Sequence, residues 1–158
     1  MPVLMVRHAH ALSRSRWEGE DDTRELSVRG HRQAQMLIPM LKEFEPGLIL
    51  SSPSVRCMDT LRPLADTLGR SVRAETDLAE GSGRTAVTLV RSLAGGTAVL
   101  CSHGDVIPDV LAALADEDGL DLGSTPRVEK ASIWLLEADR DRDGRFRSAA
   151  YLPPPEVA

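Results

Sequence analysis

The residues with the clearest capacity for chemistry are an arginine and two histidines in the segment Arg7-His8-Ala9-His10. They directly follow Pro2–Val6, a short apolar run that predicts a buried β-strand. Ligands of open α/β sheets bind at the carboxyl ends of the strands, so these side chains are predicted to lie at a binding edge. An arginine beside a histidine at such an edge suits an anionic substrate together with a nucleophile or proton carrier.

Two further candidate residues follow other apolar runs that predict buried strands. Arg56 stands in the first turn of a predicted helix after Leu48–Leu50, and His103 follows Thr97–Cys101. If these strands are parallel neighbours, their carboxyl ends bring two guanidiniums and two imidazoles to one point. Guanidiniums form bidentate hydrogen bonds to phosphate oxygens, and helix N-termini add backbone amides. The set predicts a pocket for a tetrahedral dianion, in which one histidine attacks phosphorus and the arginines neutralise charge without a metal or other cofactor.

Strand-like runs alternate with helical patterns along the chain, which predicts a three-layer α/β/α sandwich with a mainly parallel central sheet. Ser27 is the predicted N-cap of the first helix, and Ser52 that of the second, with Pro53 at its first helical position. The acidic run Glu18–Asp22 is predicted to be a solvated loop at the pocket mouth, where it would disfavour highly anionic substrates. Further strands are predicted at residues 71–74, 133–136 and 145–151, and further helices at residues 86–93 and from after residue 104 to about residue 115.

Length and composition predict one soluble domain. The chain has 158 residues with 42% hydrophobic content, enough for a single core over residues 1–158, with a frayed tail from about residue 153. No run approaches the roughly 20 apolar residues of a membrane span, and the apolar start is too short for a signal peptide. Cys57 and Cys101 lack metal-binding spacing, which favours a reducing, cytoplasmic compartment. The formal net charge of -5 argues against nucleic-acid partners.

Four segments together resemble the histidine phosphatase superfamily, also called the phosphoglycerate mutase-like family. They are Arg7–Ala9, Arg24–Gly30, Ser51–Thr60 and Ser102–Gly104. The segments come in the order that the family shows, although Ala9 stands where many members have glycine. Their joint occurrence makes the resemblance specific, and it implies the α/β fold predicted above.

The resemblance also implies a mechanism. It points to a metal-independent phosphatase that hydrolyses a phosphomonoester or a phosphohistidine through a covalent phosphohistidine on His8. The side chains that would hold the phosphoryl group are Arg7, Arg56 and His103. Glu80 has the surroundings that best match the family's general acid, and Asp105 is the alternative. His10 either lies at the pocket or points to solvent.

The short chain is similar in length to the small bacterial phosphohistidine phosphatases. Three segments also resemble a histidine phosphatase domain that some bacteria fuse behind a Nudix hydrolase: Val55–Cys57, Leu61–Ala65 and Val106–Asp109. This second resemblance admits a nucleotide-derived substrate. The expected partners are therefore a phosphorylated small molecule or a phosphohistidine protein.

Two other functions fit the same residues. A mutase would return the phosphoryl group to a substrate hydroxyl, but the chain has no obvious long lid to protect the intermediate from water. A non-catalytic module that binds phosphate or a phosphoprotein would keep the arginines, but it would not need both His8 and His103. A phosphatase is therefore the function that the sequence favours.

Overall fold

The computed structural model describes residues 1–124 and 126–157. In chain order, its strands and α-helices are β1 (Pro2–Arg7), α1 (Val28–Lys42), β2 (Leu48–Ser51), α2 (Val55–Leu68), β3 (Arg73–Ala74), α3 (Gly83–Ser92), β4 (Ala98–Ser102), α4 (Val106–Asp118), β5 (Ile133–Ala138) and β6 (Phe146–Leu152). Two short 3-10 turns cover Asp21–Thr23 and Thr76–Leu78. None of the helices in this described part of the chain is long and apolar enough to cross a membrane.

The strands form one sheet in the order β3-β2-β4-β1-β5-β6. The first four of these are parallel, and β5 and β6 add an antiparallel edge. In the parallel part, Arg7 on β1 pairs with Ser102 on β4, and Ser51 on β2 pairs with Cys101 on β4. The carboxyl ends of these three central strands are therefore level at one edge of the sheet.

Successive residues of the buried strands face opposite sides of the sheet, as the strand period of two requires. Val3 and Met5 pack into a core cluster with α3 and α4. Leu4 and Val6 pack into a second cluster with α1 and α2. Two helices thus cover each face of the sheet, and the predicted three-layer architecture with a mainly parallel sheet is confirmed.

The N-terminal ends of α1 and α2 test the two predicted N-caps. The amide of Gly30 donates to Ser27 Oγ at 3.0 Å, so the predicted N-cap of α1 is confirmed. The prediction that Ser52 caps α2 is wrong, because α2 begins at Val55 with Ser54 at the N-cap position. The amide of Ser52 instead donates to the carbonyl of Cys101 at 2.9 Å, which keeps Ser52 in line with the sheet.

Candidate active site

Three predicted site residues meet at the level edge of the sheet. His8 follows β1, His103 follows β4, and Arg56 is the second residue of α2, which follows β2. The His8 and His103 rings are 5.6 Å apart between centroids, at an interplanar angle of 65°. The Arg56 side chain is 0% exposed, so its guanidinium lies beneath the surface of the site.

The imidazole of His8 is held as a neutral ring with one free nitrogen. Its Nδ1 lies 2.9 Å from the carbonyl oxygen of Ala9, which can only accept, so Nδ1 carries the proton and Nε2 carries the lone pair. Burial and, to a smaller extent, the nearby Arg56, His103 and Arg7 lower the pKa of His8 to about 3, against the opposing effect of the Ala9 hydrogen bond. A neutral imidazole with an exposed lone pair is a nucleophile at physiological pH.

Arg56 is bound from two sides by acidic residues. Its Nη1 donates to the carbonyl of Asp21 at 2.8 Å, and its Nη2 donates to Asp21 Oδ2 at 3.0 Å. Nη2 also donates to Glu80 Oε1 at 2.5 Å. Asp21 lies in the run predicted to be a solvated loop, and the other acidic residues of that run are exposed, but the 3-10 turn that begins at Asp21 brings this one residue onto the arginine.

Glu80 Oε1 occupies a point where two guanidiniums and an imidazole converge. Besides Arg56, it accepts from Arg14 Nη2 at 3.1 Å and lies 3.4 Å from His103 Nδ1. Two guanidiniums and an imidazole around one oxygen form the type of environment that binds a phosphoryl oxygen. The carboxylate oxygen of Glu80 therefore marks an anion position at the centre of the site.

The orientation of the His103 ring is determined by serines at the end of β2. His103 Nε2 lies 2.7 Å from Ser52 Oγ, which itself accepts weakly from the amide of Ser54 at 3.4 Å. The Ser52 hydroxyl can donate to Nε2 or accept from it, and Nδ1 faces the anion position, 3.4 Å from both Glu80 Oε1 and Arg56 Nη2. Cys57 packs against the same ring, with its Sγ 3.6 Å from Nε2.

Arg7 lies between the backbone at Val128 and the backbone at Gly104. Its Nη1 donates to the carbonyl of Val128 at 2.7 Å, and its guanidinium packs against the backbone at Gly104. A Cβ at position 104 would come within 2.8 Å of Arg7 Cζ, so a larger residue there would displace the guanidinium. Burial lowers the pKa of Arg7.

The two predicted phosphate arginines share a further property. Among the buried side-chain nitrogen and oxygen atoms of residues 1–124 and 126–157, those without a hydrogen-bond partner are Nε of Arg7 and Nε of Arg56. Buried polar groups are nearly always paired, and exceptions call for a functional explanation. An anionic ligand that reached these N–H groups would accept hydrogen bonds from them.

The remaining predicted residues do not contact the anion position. Asp105 Oδ2 accepts from the amide of Gly81 at 2.8 Å, so it holds the turn that carries Glu80. His10 Nδ1 lies 2.6 Å from Ser27 Oγ, at the start of α1, although the ring also lines a neighbouring cleft. The Arg7, Glu80, His103 and Asp105 side chains line one cavity of about 380 Å³ together with His8.

Sequence reasoning missed three residues that contact the site or its partners. Asp21 belongs to an acidic run, Ser52 fits a helix-capping pattern, and Arg14 lies in a polar stretch without periodicity. The position of Ser52 directly after a buried strand was a usable signal, because strand ends at this edge carry the other site residues. Asp21 and Arg14 gave no comparable signal.

Comparison with known proteins agrees with this geometry. The family model of the histidine phosphatase superfamily (branch 1) matches residues 3–84. An 8-oxo-(d)GTP phosphatase of Mycolicibacterium smegmatis is 33% identical over an alignment of 160 residues, which covers 98% of this chain and 48% of that protein. The chain thus spans about half the length of this curated relative.

Solved structures show the same fold. The protein histidine phosphatase SixA in complex with tungstate has a TM-score of 0.75 at 19% identity, covering 96% of this chain and 94% of SixA. A mycobacterial glucosyl-3-phosphoglycerate phosphatase in complex with VO3 has a TM-score of 0.67 at 24% identity, covering 86% and 92% of the respective chains. With more than half of its residues matched by the family model, the chain belongs to the histidine phosphatase superfamily.

Proposed function

We propose that the protein is a metal-independent phosphatase that hydrolyses a phosphomonoester or a phosphohistidine through a covalent phosphohistidine on His8. The observation that carries this proposal is the anion position at Glu80 Oε1, where Arg56 and His103 converge beside an unprotonated imidazole nitrogen. Family membership supports phosphatase chemistry, and the neutral His8 supplies the nucleophile that this chemistry needs.

In the first step, a phosphoryl oxygen takes the place of Glu80 Oε1 and accepts hydrogen bonds from Arg56 and His103. His8 Nε2 donates its lone pair to phosphorus, and the bond between phosphorus and the leaving oxygen breaks, with its electron pair remaining on that oxygen. Glu80, once displaced from Arg56, takes up a proton from solvent and passes it to the alkoxide leaving group, and Asp105 is the alternative donor in the same cavity. The arginines stabilise the charge that develops on the equatorial oxygens.

In the second step, water attacks the phosphorus of the phosphohistidine. The phosphorus–nitrogen bond breaks, its electron pair returns to His8 Nε2, and inorganic phosphate is released. The carboxylate that donated the proton in the first step accepts one from the attacking water. The cycle ends with the neutral ring that the Ala9 carbonyl orients.

The relatives suggest two substrate classes. The curated relative acts on 8-oxo-(d)GTP, and SixA is a protein histidine phosphatase, so the candidates are a nucleotide-like small molecule and a phosphohistidine protein. The site favours either over a mutase substrate, because the cavity around His8 is open to solvent and water can reach the intermediate.

Trapping the intermediate tests the mechanism directly. Quenching turnover of a phosphate-labelled substrate should leave an acid-labile, alkali-stable label on His8, and His8→Ala should abolish both label and activity while retaining phosphate binding. His31→Ala is the matched control, because His31 is an exposed histidine of α1. Activity of His8→Ala near the wild-type level would exclude the covalent mechanism, and strict dependence on magnesium would exclude a metal-independent one.

A further inference from the structure

A second cleft adjoins the cavity of about 380 Å³ around His8, which we call the phosphoryl pocket. The second cleft has a volume of about 410 Å³. Arg7, His8 and Arg14 form a common wall, since they line both this cleft and the phosphoryl pocket. A group attached to a phosphoryl group at His8 therefore has two directions to extend, and one of them leads into this cleft. We refer to it as the basic cleft, for the charges described next.

The two cavities differ in charge. The phosphoryl pocket contains the carboxylates of Glu80 and Asp105, whereas the residues that line the basic cleft include no acidic side chain. Its wall instead carries four cations: Arg7, Arg14, Arg24 and Lys130. A cavity with several cations and no carboxylate in its lining attracts an anionic group.

Lys130 has the least compensated charge in this cleft, since Arg7, which also contacts no carboxylate, at least donates to the carbonyl of Val128. Arg24 and Arg14 each contact Asp21, but no hydrogen bond or ion pair engages the Lys130 ammonium within residues 1–124 and 126–157. Burial lowers the pKa of Lys130, and the positive charges of Arg7, Arg24 and Arg14 lower it further. An anion in the cleft would relieve this repulsion between like charges.

The backbone fixes the position of Lys130 beside the nucleophile. The amide of the next residue, Ala131, contacts the carbonyls of Arg7 at 3.0 Å and His8 at 3.2 Å. Ala131 has a φ of 64°, a left-handed conformation that a residue with a side chain rarely adopts. A conformation of this kind persists only where surrounding contacts enforce it, and such positions cluster at functional sites.

We propose that the basic cleft binds a second phosphate of the substrate, so that the leaving group is itself a phosphate and the scissile bond is a phosphoanhydride. Lys130 and Arg14 are its counter-charges. This inference rests on the proposed function, because it places the transferred phosphoryl group at His8. Adjacent phosphates of an anhydride share one bridging oxygen, so the second must lie directly beside the first, as the basic cleft lies beside the pocket.

The chemistry of an anhydride suits the charges of this site. When His8 Nε2 attacks the terminal phosphorus, the bond to the bridging oxygen breaks and its electron pair stays on the departing phosphate. That oxygen becomes a stable phosphate oxygen without needing a proton, and the cations of the cleft stabilise the added charge. An imidazole leaving group carries no such charge and would make no use of four cations.

Binding of inorganic pyrophosphate and inorganic phosphate tests the subsite. Calorimetry on the wild type should show tighter binding of pyrophosphate, and Lys130→Gln should weaken it by about tenfold to a hundredfold, as expected for one lost charge-assisted contact. Binding of inorganic phosphate should stay unchanged, which also shows that the variant is folded. Lys42→Gln is the matched control, because Lys42 is the other lysine of the chain and lies at the end of α1.

Two results would overturn the subsite: an equal effect of Lys130→Gln on both anions, or no effect on either.

Turnover separates this inference from the proposed function. Lys130→Gln should lower kcat/KM for a nucleoside triphosphate but not for 4-nitrophenyl phosphate, whereas His8→Ala should abolish both. Activity of His8→Ala on 4-nitrophenyl phosphate would refute the mechanism while leaving the pyrophosphate measurement valid. If phosphoserine, whose second anion is a carboxylate, depended on Lys130 and pyrophosphate did not, the anhydride assignment would be wrong.

Discussion

Arg56 and Arg91 each bind two carboxylates, but the two clusters differ in what surrounds those carboxylates. At Arg91, Nη1 and Nη2 form a bidentate pair with Asp118, both at 2.9 Å, and Nη2 also donates to Glu117 Oε2 at 2.6 Å. The Asp118 side chain is 1% exposed and also accepts from the amide of Phe146 at 2.9 Å. The carboxylate of Asp118 is thus fully used within the protein.

The partners of Arg56 are more exposed to solvent than Asp118. The Asp21 and Glu80 side chains are 38% and 43% exposed, and both belong to segments between the main helices and strands. Each can turn to water with a small change in solvation, whereas Asp118 would remain buried without a counter-charge. We therefore propose that Arg56 keeps its charge available to a ligand although its own side chain is buried.

We propose that the burial of Asp118, and not the burial of the arginine, makes Arg91 a structural arginine and Arg56 a ligand-binding one. Arg56 is the more buried of the two, at 0% exposed against 23% for Arg91. Its Nε nevertheless lacks a partner, while the Arg91 guanidinium is also bound by the carbonyl of Gly144 at 2.8 Å. Matched substitutions in the two clusters can break or sharpen this distinction.

The largest contrast is expected between the two glutamates. Glu80→Gln removes the proposed general acid and should slow cleavage of alkyl phosphates by about a hundredfold to ten-thousandfold. An aryl ester with a good leaving group should lose much less in its phosphorylation step, which single-turnover rates measure. Glu117→Gln is the control and should affect neither substrate. Equal small losses on both esters would remove Glu80 from the mechanism and make Asp105 the next candidate.

The two arginines should separate affinity from stability. Arg56→Ala should weaken vanadate binding by about tenfold to a hundredfold, because one charge-assisted contact is lost. Arg91→Ala should leave that affinity unchanged but lower the free energy of unfolding by about 3 kcal/mol, because Asp118 stays buried without its partner. Titration with vanadate and urea denaturation measure the two quantities. A larger stability loss for Arg56→Ala than for Arg91→Ala would invert the proposed distinction.

The sequence predicted the parts of the fold and site that periodicity and strand ends determine. The alternation of strands and helices identified the three layers, and the apolar runs before His8, Arg56 and His103 placed these residues at strand ends. Their convergence then follows from topology, since β1, β2 and β4 are parallel neighbours. The family resemblance drawn from the same segments is confirmed as well.

The sequence could not predict contacts made by segments without periodicity. Asp21 reaches Arg56, and the turn around Lys130 reaches Arg7 and His8, only because distant parts of the chain meet in the folded state. The start of α2 failed for a related reason. The serine–proline pair satisfied a local capping rule, but tertiary contacts of Ser52 with Cys101 and His103 prevailed over it.

The pH dependence of stability should reveal the ion pair between Arg91 and Asp118. Burial alone would raise the pKa of Asp118, but the hydrogen bonds from Arg91 and the Phe146 amide lower it below its usual value. A lowered pKa stabilises the fold above the unfolded-state value of about 4 and loses this contribution as the pH falls further. Asp118→Asn should therefore destabilise the protein most at neutral pH, by about 1.5–3 kcal/mol, and progressively less below about pH 4. Urea denaturation of both proteins across this range gives the difference, and a constant difference would contradict the assignment.

The smallest effect is expected at Asp21, and its sign is the informative part. Asp21 binds Arg56 through its main-chain carbonyl as well as its carboxylate, so Asp21→Asn keeps both acceptors and removes one negative charge. Loss of a partly exposed charge beside an anion site is worth about 0.2–1 kcal/mol, so vanadate affinity should rise by a small factor. Asp118→Asn, which removes a negative charge beside Arg91, should leave vanadate affinity unchanged. If Asp21→Asn instead weakened vanadate binding, the carboxylate would be needed to hold Arg56 in place. Asp21 would then have a structural role, as Asp118 has for Arg91.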